Sequence, residues 1–329
     1  MARCKKVLVT GGAGYIGSVT SEQMLDKGLE VIIFDNLERG HKEAIDKRAK
    51  FIKGDLRDEA KIMKVMKDIK PDAVMHFAAY ALVPESMKKP DMYFRNNLYG
   101  GINLVNAMSK VGVGKIVFSS TCATYGQPKK VPITEETPQN PANPYGESKL
   151  QFEKVLKWYN ALEGMQTVFL RYFNACGATK KFGEDHDPET HLIPLVLQVA
   201  LGKREKVFVY GDDYKTPDGT CLRDYIHIVD LAQAHILALR SKYSGAFNLG
   251  NGSGYSVQEV IETAREVTGH AIPAEIAPRR PGDPAALIAA ADKARNLLKW
   301  KPKYPELRVI LESAWEWHQA HPFGYSGKK

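Results

Sequence analysis

Near its N-terminus the chain reads Val7-Leu8-Val9-Thr10-Gly11-Gly12-Ala13-Gly14-Tyr15-Ile16-Gly17, an apolar run that leads directly into a cluster of glycines. The apolar run predicts a buried strand, and residues 16–27 predict a helix that ends at Gly28. Glycines let the backbone approach a pyrophosphate closely, and the N-terminus of the following helix favours its negative charge. We therefore predict a dinucleotide-binding site at this turn.

Short apolar strands and helices alternate beyond this unit. Strands are predicted at 30–35, 50–54, 72–76, 115–119 and 167–171, and helices at 98–111 and 145–162. This alternation is typical of an α/β fold with a Rossmann-type, doubly wound parallel sheet. After Asn174 the pattern loosens, although strands at 225–229 and 246–249 are predicted to rejoin the first sheet. We therefore expect a dinucleotide-binding Rossmann domain over 1–175, to which strands near 225–250 return, and a smaller C-terminal substrate-binding lobe mainly over 176–329.

Asp35 ends the second predicted strand, about 20 residues past the glycines, where a carboxylate binds the ribose hydroxyls of a dinucleotide. It would repel a 2′-phosphate, which favours NAD over NADP. The nearby Arg39 leaves this preference open. Asp55 follows the third predicted strand, where it either reaches the adenine edge or caps a helix.

Tyr145 and Lys149 open a predicted helix and share one of its faces, because residues four apart are neighbours on a helix. An unperturbed tyrosine, with a pKa near ~10, is a poor base at neutral pH. An adjacent ammonium and a positively charged nicotinamide ring favour the phenolate and lower that pKa. The pair is therefore predicted to take a proton from a hydroxyl while NAD takes the hydride.

The bulk composition excludes several classes of protein. The 329 residues are 44% hydrophobic and 26% charged, which is ordinary for a globular enzyme, and no apolar run is long enough to span a membrane. The net charge is +8, but the lysines are spread along the chain, so we expect a basic surface and no nucleic-acid partner. Four scattered cysteines without a CxxC pair predict reduced thiols in a cytoplasmic protein.

Five motifs in their order along the chain resemble the sugar-nucleotide branch of the extended short-chain dehydrogenases/reductases. They are TGGAGYIG at 10–17, the region of Asn97, SST at 119–121, YGESK at 145–149 and RYFN at 171–174. The resemblance implies that Thr121 hydrogen-bonds the substrate hydroxyl beside Tyr145. With the motif analysis, it gives a predicted NAD-binding set of Gly11, Gly14, Tyr15, Ile16, Gly17, Asp35, Asn36, Asp55, Leu56, Phe77, Ala78, Ala79, Asn96, Tyr145, Lys149 and Tyr172.

The run Thr121-Cys122-Ala123-Thr124-Tyr125-Gly126 indicates which reaction of this branch to expect. Dehydratases and decarboxylating members carry acidic residues just after the Ser or Thr, and these serve as the second acid or base of an elimination. This run contains no carboxylate. What remains is oxidation at the sugar C4 and return of the same hydride to the opposite face, which is an epimerisation through a 4-keto intermediate.

Two segments, 219–227 and 279–283, resemble the UDP-binding segments of UDP-glucose (UDP-galactose) 4-epimerases. By this resemblance Arg223 and Arg280 pair with the diphosphate, for which bidentate arginines are well suited, and Tyr210 stacks on the uracil. The substrate is then a UDP-sugar, and we expect interconversion of UDP-galactose and UDP-glucose. The predicted substrate set is Thr121, Asn174, His191, Leu192, Phe208, Tyr210, Arg223, Tyr225, Arg280, Asp283 and Leu287.

Three positions depart from the best-known pattern of these epimerases: Ala81 stands for a Lys, His191 for an Asn, and Leu287 for a bulky aromatic residue. A smaller residue at 287 leaves room beside the sugar, so UDP-N-acetylhexosamines are an alternative substrate. The run at 121–126 also resembles that of pentose-nucleotide epimerases, which adds UDP-arabinose and UDP-xylose. A nucleotide-sugar dehydratase with a displaced acid and a non-catalytic NAD-binding protein remain as further alternatives.

Residues 183–191 gather two histidines and four acids, but their spacing fits no common ligand pattern, so we expect no metal. The helices at 98–111 and 145–162 are expected, by the resemblance, to form the interface of a homodimer.

Overall fold

The computed structural model describes residues 4–280 and 282–327. Its strands are β1 (Lys6–Thr10), β2 (Glu30–Asp35), β3 (Lys50–Lys53), β4 (Ala73–His76), β5 (Lys115–Ser119), β6 (Gln166–Tyr172), β7 (Asn174–Cys176), β8 (Val207–Tyr210), β9 (Leu222–His227), β10 (Gly245–Leu249), β11 (Gly254–Ser256), β12 (Ala274–Ala277) and β13 (Ala286–Leu287). Its α-helices are α1 (Tyr15–Asp26), α2 (Glu59–Ile69), α3 (Val83–Lys88), α4 (Pro90–Tyr93), α5 (Gly100–Val111), α6 (Pro144–Glu163), α7 (Leu192–Ala200), α8 (Ile228–Arg240), α9 (Val257–Thr268) and α10 (Leu307–Ala320).

Seven parallel strands form the main sheet in the order β10-β6-β5-β4-β1-β2-β3. The winding direction reverses between β1 and β4, so the connections after these two strands diverge and leave a crevice at their carboxyl ends. This is the predicted doubly wound, Rossmann-type sheet.

Alternating apolar residues place a separate core on each face of this sheet. In β1, Val7 and Val9 face the core that α1 and α8 cover, whereas Leu8 faces the core beneath α2, α5 and α6. Strands buried on both faces read as continuous apolar runs, and this is why the run at 7–9 predicts its strand correctly.

The smaller lobe is built around β9, which pairs with β7, β11 and β13, while β8 and β12 form a two-stranded sheet. Its core lies between α7, α9 and α10. The prediction that a strand at 225–229 rejoins the main sheet is wrong. The free side of β6 is taken by β10, and the chain turns into α8 at Ile228.

No helix in the described ranges has the length and apolar character needed to cross a membrane.

Candidate active site

The crevice at β1 and β4 widens into a cleft of about 860 Å³ between the main sheet and the smaller lobe. Every residue of the two predicted sets, for cofactor and for substrate, lines this cleft. The sequence therefore identifies residues that are far apart in the chain but share one surface, and their individual roles stay predictions.

Two kinds of glycine shape the turn for a dinucleotide. Some are required by packing, and another leaves the start of α1 open. A Cβ at Gly11 would lie 2.4 Å from the backbone nitrogen of Ala78, and one at Gly17 would lie 2.2 Å from the carbonyl oxygen of Gly11. These two glycines are required by packing. Gly14 has only ordinary contacts, and it begins α1 without a side-chain cap. The first amides of α1 are therefore available to a phosphate at the cleft.

Asp35 is held in place by the turn that it faces. Its carboxylate accepts hydrogen bonds from the backbone nitrogens of Ala13 at 3.0 Å and Leu37 at 2.8 Å. Burial raises its pKa, and these hydrogen bonds oppose the shift. The guanidinium of Arg39 pairs with Glu85 at 2.7 Å. Arg39 is thus paired with a carboxylate in this structure.

Asp55 does not cap a helix, because Asp58 is the residue that accepts the capping hydrogen bond from Lys61 at the start of α2. Asp55 instead accepts hydrogen bonds from Arg57 at 2.6 Å and from Asn36 at 2.9 Å. The bond from Arg57 lowers its pKa to about 2. The remaining interpretation, a contact with adenine, stays a prediction.

Tyr145 and Lys149 lie in the first two turns of α6. The helix begins at Pro144, where the side chain of Asn143 caps it by accepting a 2.8 Å hydrogen bond from the backbone nitrogen of Gly146. Both side chains are buried at the cleft. The Nζ of Lys149 donates a 2.9 Å hydrogen bond to the carbonyl oxygen of Ser119 at the end of β5. Burial lowers the pKa of Lys149 to about 7.

Burial raises the pKa of Tyr145 above its usual range, and the neighbouring Thr121 hydroxyl opposes that shift. The protein alone therefore keeps the phenol protonated, so the predicted lowering depends on the positive charge of the bound cofactor as well as on Lys149. Thr121 follows β5 and lines the cleft together with Cys122 and Ala123.

Sequence reasoning missed a buried ion pair directly behind this site. Glu153, one turn beyond Lys149 on the same face of α6, pairs with Arg171 of β6 at 2.6 Å and accepts a hydrogen bond from Ser120 at 2.6 Å. The same spacing of four that identifies Lys149 from Tyr145 points on to Glu153.

Tyr80 and Tyr93 were also missed. They pack with Tyr145 in one aromatic cluster. No feature of the sequence marks these two tyrosines.

In the smaller lobe the predicted diphosphate ligands are held by neighbouring oxygens. Arg223 donates to the carbonyl oxygens of Leu222 and Pro284, each at 2.9 Å. Arg280 pairs with Asp283 at 2.8 Å, and its guanidinium lies 4.8 Å from the centre of the Tyr210 ring. Tyr210 is 40% exposed and lines the cleft, so the predicted stacking on the uracil stays a prediction.

The comparisons with known proteins agree with this geometry. Residues 7–250 match the model of the NAD dependent epimerase/dehydratase family. The chain is 55% identical to a UDP-glucose 4-epimerase of Halalkalibacterium halodurans, over 97% of each chain. A crystal structure of a UDP-glucose 4-epimerase is 53% identical with a TM-score of 0.95, covering 98% of this chain and 99% of the other. The UDP-glucose 4-epimerase of Bifidobacterium longum, solved in complex with NAD+ and UDP, is 44% identical with a TM-score of 0.92 over 97% and 99% of the two chains.

Proposed function

Because the chain belongs to the NAD-dependent epimerase/dehydratase family, we propose that it interconverts UDP-galactose and UDP-glucose by inversion at C4 of the sugar. The observation that carries this proposal is the position of Tyr145 and Lys149 in the same cleft as the glycine turn and Arg223. One surface thus offers a proton acceptor, a dinucleotide site and a cation for the sugar diphosphate.

NAD, when bound, supplies the transient hydride acceptor. The chain holds it with the amides at the start of α1 and with Asp35 at the ribose. Asn36, Asp55 and Leu56 would face the adenine end. The packing of Gly11 and Gly17 keeps the turn in the shape that such a ligand needs.

The protein's part in the chemistry is to move one proton at the C4 hydroxyl. Thr121 orients that hydroxyl, and the phenol oxygen of Tyr145 removes its proton and later restores it. Lys149 in its protonated form supports the phenolate with its charge, while its own hydrogen bond to Ser119 fixes it in place. The residues beside Thr121 are Cys122 and Ala123, so no carboxylate stands there to remove a C5 proton.

The test is to incubate the purified protein with UDP-galactose and no added cofactor. Appearance of UDP-glucose supports the proposal and shows that NAD is retained. Tyr145→Phe should lose most turnover and keep its NAD, whereas Tyr304→Phe, which lies outside the cleft, should behave as wild type. Full activity of Tyr145→Phe would overturn the mechanism.

The comparisons do not favour the alternatives with N-acetylhexosamines, pentoses, dehydration or a non-catalytic role, since the relatives at 50–55% identity over nearly the whole chain are UDP-glucose 4-epimerases.

We further propose a homodimer that forms through α5 and α6. On α6, Trp158 and Leu162 lie one turn apart and are 67% and 77% exposed, and Tyr99, just before α5, is also exposed. Exposed apolar side chains that neighbour one another, as Trp158 and Leu162 do, are a feature of protein–protein contact surfaces.

We also propose a cytoplasmic location, which the four free cysteines support.

A further inference from the structure

Four side chains of the loop between β7 and α7 converge at one point: Glu184, His186, Glu189 and His191. One ligand atom from each lies within 4.8 Å of the others. From this arrangement we infer that the four residues form a binding site for a divalent cation of the zinc class. The inference does not depend on the proposed function.

The distances between these atoms suit a tetrahedral cation. The Nδ1 of His191 lies 2.9 Å from Glu184 Oε1 and 3.0 Å from Glu189 Oε1. The Nδ1 of His186 lies 3.3 Å from Glu184 Oε1 and 3.5 Å from Glu189 Oε2. Metal bonds of about 2.1 Å require tetrahedral ligand atoms about 3.4 Å apart, so small side-chain shifts are enough to seat an ion among them.

Within the described part of the chain, hydrogen bonds leave one nitrogen of this cluster without a partner, although Glu189 Oε1 accepts from the backbone nitrogens of Thr190 and His191. The Nδ1 atom of His186 is buried and has no hydrogen-bond partner among the described residues. The Nδ1 atom of His191 faces oxygens of two different glutamates at nearly equal distance, and a single N–H cannot point at both. A cation at the centre would give each of these atoms a bond.

The charges of the cluster also fit a cation. The carboxylates of Glu184 and Glu189 are largely buried, with 7% and 6% of their side chains exposed, and buried charges need compensation. A divalent cation supplies two positive charges at one position. The competing arrangement is a proton on each histidine. Burial lowers the pKa of His186, but the carboxylates of Glu184 and Glu189 beside it outweigh this effect and raise it to about 9.

The ligand types select the class of ion. Mg²⁺ and Ca²⁺ prefer sites made of oxygen atoms, whereas two imidazoles with two carboxylates suit Zn²⁺ and its neighbours in the first transition row.

An ion at this position would hold the loop in place between the glycine turn and the start of α7. The ring of His186 lies edge-on to Tyr15 of the glycine turn, 6.3 Å between centroids, and His191 begins α7.

The test uses the full-length protein, freed of metal with a chelator and titrated with Co²⁺ at pH 8. We expect one equivalent to bind with the visible absorption of a tetrahedral site, and Zn²⁺ to displace it. Glu189→Gln and His186→Gln should each lower the Zn²⁺ affinity more than tenfold, whereas His270→Gln, an exposed histidine outside the cluster, should leave it unchanged. Circular dichroism of each variant confirms that the fold is retained.

A second measurement needs no variant. Zn²⁺ binding to the folded state must raise the unfolding temperature of the wild-type protein relative to the protein in chelator. Absence of Co²⁺ binding, binding that both substitutions leave intact, or an unchanged unfolding temperature would each overturn the inference and identify the cluster as a protonated ion-pair network. Because none of these readouts uses turnover, the result is independent of epimerase activity.

Discussion

The Nζ of Lys149 lies 6.0 Å from the centre of the Tyr145 ring, while its hydrogen bond goes to the carbonyl oxygen of Ser119. In the mechanism that we propose, the lysine therefore acts on the tyrosine through its charge and not through a hydrogen bond to it. This relationship makes the charge, and not the donor geometry, the property to test.

Lys149→Met should lower turnover by about 100-fold or more, because it impairs proton transfer by Tyr145 and a positioned acid or base contributes about that much. Loss of the positive charge disfavours the phenolate of Tyr145, so the acidic limb of the pH–rate profile should also move to higher pH. Lys154→Met, an exposed lysine on the same helix, should change neither quantity. A profile that keeps its position in Lys149→Met would contradict the electrostatic role.

Alanine substitutions at Gly17 and Gly14 should have different effects, the first on stability and the second on NAD binding. Gly17→Ala places a Cβ 2.2 Å from a carbonyl oxygen and should destabilise the fold, whereas Gly14→Ala meets only one contact, at 3.5 Å. We expect Gly14→Ala to unfold at the wild-type urea concentration but to retain less NAD after purification. Gly114→Ala, which meets nothing within 4 Å, is the control for both measurements. Wild-type NAD content in Gly14→Ala would show that this glycine does not face the cofactor.

The buried pair of Glu153 and Arg171 should contribute far more to stability than an exposed pair. Glu153→Gln leaves the Arg171 guanidinium buried without its partner, which costs about 3–5 kcal/mol of unfolding free energy. Glu266→Gln, at the exposed pair with Arg308, should cost less than about 1 kcal/mol. Urea denaturation measures both. Replacing Glu153 and Arg171 together by methionine should recover much of the loss, and similar costs for the two single variants would refute the argument.

Stability should fall as the pH drops below 6.5. Burial lowers the pKa of His76 to about 3 and that of His235 to about 4, from 6.5. Because the folded pKa lies below the unfolded one, the unfolded chain binds more protons between these values and becomes favoured there. Each group then removes about 1.4 kcal/mol per pH unit. His235→Gln should flatten the pH dependence of the unfolding free energy between pH 7 and 5, whereas His270→Gln should not.

The dimer prediction is tested by Trp158→Glu. A carboxylate at this position would have to be buried in the proposed interface, so light scattering should report a monomer. Gln258→Glu adds the same charge on α9 and should leave the assembly unchanged. A dimeric Trp158→Glu protein would place the interface elsewhere.

The strands and helices of the first half could be predicted well because each is determined by the residues of its own short segment. The bounds of β2 and β5 match the predictions at 30–35 and 115–119, since both strands are apolar runs with polar residues on either side. The sheet to which β9 belongs could not be predicted, because it depends on β10 occupying the edge beside β6.

In the candidate site, too, local features could be predicted and contacts between distant parts of the chain could not. The predicted cleft residues came from short motifs, from positions just after predicted strands, and from the resemblance to the family. The partner of Glu153 lies 18 residues away on another element, and no pattern in the chain connects them. The cluster at 184–191 has a spacing that belongs to neither a helix nor a strand, so only the folded loop shows that its four side chains meet.

Tyr145, Lys149 and Glu153 occupy successive turns of α6, and the last two are fastened to β5 and β6. These contacts hold the helix that carries Tyr145 against the sheet. Inversion requires that the hydride leave one side of the sugar ring and return to the other. If Tyr145 keeps its place on this helix, the sugar itself has to turn within the cleft between the two hydride transfers.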